Sequence, residues 1–149
     1  MATSKVTYIY DADNSFRAPG SVAITSTAIV GELALDKLTG ARGDMRDKLG
    51  AQWYNVVIAI SANDDADGDE TYVFDVQVGA VGSPSVKVGE FAVPRGVVGQ
   101  FVMLLDANTI EALDAATIEQ LDPADHEVIE LNITMGGTSP SMTFAAWLV

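Results

Sequence analysis

The sequence contains no cysteine, which excludes disulfides, thiolate metal sites and cysteine nucleophiles. Its one histidine, His126, excludes a two-histidine metal centre. No apolar run approaches the roughly 18 residues that a membrane-spanning helix needs. Runs such as Val56–Ile60 and Phe101–Leu105 have the length of strands. The opening MATSKVTYIYD has no apolar leader stretch, so export by a signal peptide is not expected. Nucleophile and phosphate motifs are missing too. There is no G-x-S-x-G, P-loop or G-x-G-x-x-G, and the GSPS at Gly82–Ser85 suits a turn.

Basic residues are scarce beyond the first third. Residues 1–48 balance Asp11, Asp13, Glu32, Asp36, Asp44 and Asp47 against Lys5, Arg17, Lys37, Arg42, Arg46 and Lys48. From residue 49 onward only Lys87 and Arg95 oppose fifteen acids, so the whole net charge of −13 lies there. Such a surface repels phosphate backbones, and a nucleic-acid partner is not expected.

What the chain does have is apolar content. Hydrophobic residues make up 48% of its 149 residues, and the mean hydropathy is +0.22. That composition fits one soluble domain with a sizeable core, not a disordered tail. Without disulfides, the domain must be held by its core or by partners.

The dominant local signal is the β-strand: short β-branched and aromatic runs, period-two alternation, and turn residues between. Eight strands are expected, at Val6–Tyr10, Ser21–Val30, Trp53–Ser61, Thr71–Val78, Ser85–Val93, Phe101–Leu105, Glu127–Met135 and Met142–Val149. Trp53–Ser61 is apolar on both faces, as a central strand would be. In Thr71–Val78 the residues Tyr72, Phe74, Val76 and Val78 share one face. In the seventh strand Ile129, Leu131, Ile133 and Met135 face inward, while Glu130, Asn132 and Thr134 face outward. Trp53–Ser61 and Thr71–Val78 are expected to pair as a hairpin across the acidic segment between them. The fold class is therefore mostly β: an eight-stranded antiparallel sandwich, with a jelly roll favoured.

Residues 1–20 are read as an N-terminal arm with the first strand, separable from the sandwich of residues 21–149. Residues 36–50 are read as a long charged loop. Residues 108–121 have the pattern of one short amphipathic helix, with Asn108 and Glu111 as a capping box and Pro123 beyond its end. A loop laid across the sheet would carry similar residues.

The segment Asn63–Glu70 (NDDADGDE) is the strongest candidate for metal chemistry. Placing Gly68 at the EF-hand loop glycine puts Asn63, Asp65 and Asp67 at the first three ligand positions. The bidentate twelfth position then falls on Phe74, which cannot coordinate, so an EF-hand is rejected. Asp65 and Asp67 remain candidates for a weak, irregular calcium site, against the plainer reading of a solvated loop tip. A hydrolase would need two carboxylates facing each other across a cleft. Strand acids such as Asp75 and Glu130 fall on the outward face instead. His126 has no visible catalytic partner, and Asn132–Thr134 matches a glycosylation acceptor only in mid-strand. Trp53, Tyr54, Trp147, Tyr8 and Tyr10 could line a sugar-binding face, but each sits in an expected strand, where packing explains it equally well.

Three stretches carry a resemblance: the opening VTYIYDADNSF, the central VVIAISANDDADGDETYVFDVQVG with GSPSVKVGEFAVP, and the closing HEVIELNITMGGTSPSMTFAAWLV. In order and texture they resemble the jelly-roll cement, or decoration, proteins of tailed bacteriophage heads, from about residue 53 onward. The acidic tip and the 108–121 segment depart from that layout. The resemblance implies a non-enzymatic homotrimer on the virion exterior at three-fold positions. There it would bridge copies of the major capsid protein and stabilise the mature shell by adding interface, with no cofactor. On that view Arg17, Arg42, Arg46 and Lys48 contact the capsid, and Trp53, Tyr54 and Trp147 pack the core or the trimer interface. The alternative is a carbohydrate- or calcium-dependent β-sandwich module of receptor-binding or adhesin type.

Overall fold

The computed structural model describes residues 8–34, 54–105 and 128–149, with Tyr54, 83–86, Leu104 and Leu105 described in backbone only. Eight strands form two four-stranded antiparallel sheets: β1 (Ser15–Arg17), β2 (Ala28–Ala34), β3 (Tyr54–Asn63), β4 (Thr71–Ala80), β5 (Ser83–Val93), β6 (Gly99–Leu105), β7 (Val128–Gly136) and β8 (Met142–Leu148). One sheet has the order β1-β8-β3-β6 and the other β2-β7-β4-β5. The pairs are nested. β4 lies on β5, β3 on β6, β2 on β7 and β1 on β8, with successive pairs alternating between sheets.

The side-chain period explains the layers. On β4, Tyr72, Phe74, Val76 and Val78 are buried, and on β7 so are Ile129, Leu131 and Ile133. They meet Val56, Ile58 and Ile60 of β3 and Met142, Phe144, Ala146 and Leu148 of β8 across the sandwich. Phe74 ties the layers together. Its ring stacks on Phe91 of β5 at 5.5 Å and meets Phe144 of β8 edge-on at 5.1 Å.

Six of the eight expected strands lie within two residues of their expected ends. The N-terminal two do not. Tyr8–Tyr10 is irregular, and the first strand is Ser15–Arg17, which sends Phe16 into the core. Within Ser21–Val30, Ile24 makes one isolated bridge to Met142, and the regular strand starts only at Ala28. The expected hairpin of the third and fourth strands is wrong as well. β3 pairs with β6 and β8, whereas β4 pairs with β5 and β7. The acidic segment between them is a crossover from one sheet to the other. Two runs of good strand sequence on either side of a turn look alike whether they pair or face each other across a core.

Gly31 marks where the sheets approach. A Cβ on it would collide with the Phe16 carbonyl oxygen and stand 3.0 Å from Phe16 Cα. The register of β2 on β7 shifts between Ile29 and Gly31 at the same place. The loop at 36–50 and the helix at 108–121 lie outside the described residues. No helix among the described residues is long and apolar enough to cross a membrane.

Candidate functional site

Two places gather the side chains with chemical potential. The first is one end of the sandwich, where the β3–β4, β5–β6 and β7–β8 connections meet. Asn63 ends β3 and donates from Nδ2 to the carbonyls of Pro94 (3.0 Å) and Val97 (2.9 Å). The Thr138 backbone N–H donates to Asp69 Oδ1 at 2.9 Å, and its hydroxyl donates to Oδ2 at 3.0 Å. Those two bonds hold the Asp69 carboxyl below the usual carboxylate range. Glu70 is buried, which by itself would push its carboxyl up. Backbone N–H groups of Asp67, Glu70 and Gly68 outweigh the burial and keep it below its ordinary value. The Asp67 N–H donates to Glu70 Oε1 at 2.8 Å.

Tyr72 closes this end from beneath. Its buried hydroxyl lies 2.9 Å from the Asp64 carbonyl and accepts the Ser141 N–H at 3.1 Å. Burial pushes the Tyr72 hydroxyl up, so it keeps its proton and remains a donor.

The calcium candidates sit in this setting. Asp65 lies against the β5–β6 turn, its Cγ 3.0 Å from where a Gly96 side chain would start. Asp67 is exposed, and its backbone, not its carboxylate, serves Glu70. Among the described residues no three His, Asp or Glu side chains gather as a metal-holding group. Asp64, Asp69 and Glu70 act as acceptors for turn N–H groups, the role short carboxylates commonly fill in tight loops.

The second place is the outer face of the β1-β8-β3-β6 sheet. Trp147 stands there, 3% exposed, with Val57 and Ala145 in a cluster apart from the main core. Residues 8–14 cover it. Tyr10 meets the Trp147 ring edge-on at 5.5 Å, and its hydroxyl donates to Ser15 Oγ at 2.8 Å. Tyr8 is fixed by a side chain acting as a strand partner. Gln100 Oε1 accepts the Tyr8 N–H at 3.1 Å, and Gln100 Nε2 donates to the Tyr8 carbonyl at 3.2 Å. A groove of about 270 Å³ opens beside this cover, lined by Tyr10, Trp147, Pro19, Gly20, Ser61 and Thr143 among others.

Residues 8–17 supply β1, Phe16 and the cover over Trp147. Trp147 belongs neither to the main core nor to an open surface, since its own chain buries it. Arg17 Nη2 donates to the Val22 carbonyl, and the guanidinium lies 5.2 Å over the Phe144 ring. Asp75 and Glu130 do point away from the core, yet each is only 7% exposed. Arg42, Arg46, Lys48, Trp53 and His126 lie outside the described residues, and Tyr54 is described only as the first residue of β3. Sequence reading missed Gln100 and Asp69. A lone glutamine in an apolar strand and an aspartate two residues past another carry no spacing signal, because their partners are far along the chain.

Neither a protein-family model nor a curated protein sequence matches this chain.

Proposed function

We propose that this chain is a non-enzymatic structural protein that acts by adding interface to an assembly, as the cement proteins of tailed-phage heads do. The observation that carries the reading is the nested pairing of eight strands in the orders β1-β8-β3-β6 and β2-β7-β4-β5. It supports the jelly-roll assignment, an architecture used by viral capsid and lectin domains. Bonds from polar side chains to loop backbone support it further: Asp69, Glu70, Asn63, Tyr72 and Arg17 each make at least one to their own chain, while Glu70 Oε2, Asn63 Oδ1 and Arg17 Nε are buried without a partner. The proposed partner is the major capsid protein on the outside of the virion, with the chain acting as a homotrimer.

The test is cosedimentation of the full chain with expanded, DNA-free heads built from the major capsid protein encoded in the same genome. Saturable binding at a fixed ratio per capsomer junction is expected. A chain that stays in the supernatant at micromolar concentration while retaining its melting transition overturns the proposal.

The groove beside Tyr10 and Trp147 favours the second reading, a carbohydrate- or calcium-dependent module. Aromatic walls with the hydroxyls of Ser61 and Thr143 suit a sugar ring. The near-complete burial of Trp147 leaves it little free ring to stack on, which ranks this reading second. A rise in melting temperature with millimolar calcium, abolished by Asp65→Ala/Asp67→Ala, would reverse that order.

A further inference from the structure

Four strands bound the two sheets among the described residues: β1 and β6 in one, β2 and β5 in the other. An edge strand presents a row of unpaired N–H and C=O groups. Natural sheets guard such edges with short length, charge, proline or bulges. Three of these four are guarded. β1 has three residues and a shifted register. β2 carries Glu32 and a register shift at Ile29/Gly31. β5 contains Pro84, an ion pair between Lys87 and Glu90, and two register shifts against β4.

Among the described residues β6 shows none of these devices. Gly99–Leu105 contains no charge and no proline, and it runs against β3 from Gly99↔Ile60 to Leu105↔Tyr54 without a register shift. Val97, Val98 and Val102 are exposed along and beside it, at 40%, 56% and 44%. The whole stretch from Gly96 to Leu105, GVVGQFVMLL, is neutral in a chain of net charge −13. Two copies of so acidic a chain repel over most of their surface. The neutral edge is where they can approach, and it offers complementary backbone groups when they do.

We propose that β6 pairs antiparallel with β6 of a second copy about a two-fold axis, joining two four-stranded sheets into one continuous sheet. The arrangement is isologous, so the same strand serves both sides. Val102 is the central residue of Gly99–Leu105, and in full overlap it stands opposite its own counterpart. This contact does not depend on the capsid reading. It joins chains in even numbers: a dimer by itself, or six chains if a three-fold contact also forms.

The experiment is the native mass of the full chain across a concentration series, by light scattering. An even-numbered species is expected, and Val102→Lys should weaken its association at least tenfold by setting like charges face to face, with the circular dichroism unchanged. Val102→Cys, in a chain with no other cysteine, should form a cross-linked pair under mild oxidation. Val22→Cys, more exposed at 84% but on the β1–β2 connection, should not. A monomer or an isolated trimer overturns the proposal while leaving the capsid reading standing. An even-numbered species indifferent to Val102→Lys also overturns it, because the pairing surface then lies elsewhere.

Discussion

Asp69 and Thr138 are bonded twice, through the backbone N–H and the hydroxyl of Thr138, across 69 positions of sequence. The pair fixes the crossover between the sheets to the β7–β8 turn. It also makes the fold acid-sensitive in a definable direction. Because the Asp69 carboxyl is held below its ordinary value by these bonds, its stabilising contribution is present above the unfolded value of about 4. It is lost as pH falls through the lower, folded value. Glu70, also held low, acts with the same sign. The melting temperature should fall more steeply below about pH 4 in the wild type than in Asp69→Ala, so that the gap between them narrows. Parallel curves from pH 7 to pH 3 would count against the assignment.

Tyr72→Phe removes the hydroxyl that takes the Ser141 N–H and faces the Asp64 carbonyl, and leaves those groups buried without it. A loss of about 1–3 kcal/mol in denaturant unfolding is expected, with the m-value unchanged. A change within about 0.5 kcal/mol would mean that water replaces the hydroxyl freely.

Gly31→Ala should destabilise by about 1–3 kcal/mol or more, because the added methyl meets Phe16 backbone and not a side chain able to move. Gly20, where nothing lies within 4 Å of an added Cβ, is the comparison for space alone. Its left-handed φ of 79° should still make Gly20→Ala mildly destabilising. Unfolding midpoints of the two variants separate collision from backbone strain.

How much of this was legible in the sequence depends on the range of the interaction. Alternation in β4 and β7 gave the correct inward faces, because burial of one face imposes period two on neighbouring residues. The double-faced apolar character of Trp53–Ser61 correctly indicated a central strand, since β3 lies between β8 and β6. The partnering of β3 was not legible, because its partners β6 and β8 come after β4 and β5 in sequence and no local pattern names them. Tyr8 and Tyr10 show the same limit. Their alternation is real, with Ile9 pointing outward, but the pairing comes from the side chain of Gln100 and not from a strand. The candidate site was legible in composition and not in role. NDDADGDE announces clustered carboxylates, while only the fold shows that Asp69 and Glu70 bind turn N–H groups.

The cover over Trp147 gives a fourth prediction. Tyr10→Ala should cost about 1–3 kcal/mol by removing the edge-on contact and opening the small cluster to water. In a Trp53→Phe background the emission of Trp147 should shift to longer wavelength. Unchanged emission would show that residues 8–14 do not shield the ring.

The central claim is that the chain stabilises a shell by binding its outer surface. The most direct measurement is the temperature at which expanded heads, stripped of their own decoration protein, break open with and without the full chain. A rise that saturates once every junction is filled is the expected result. Heads that open at the same temperature, with the chain folded and present in excess, would contradict the account.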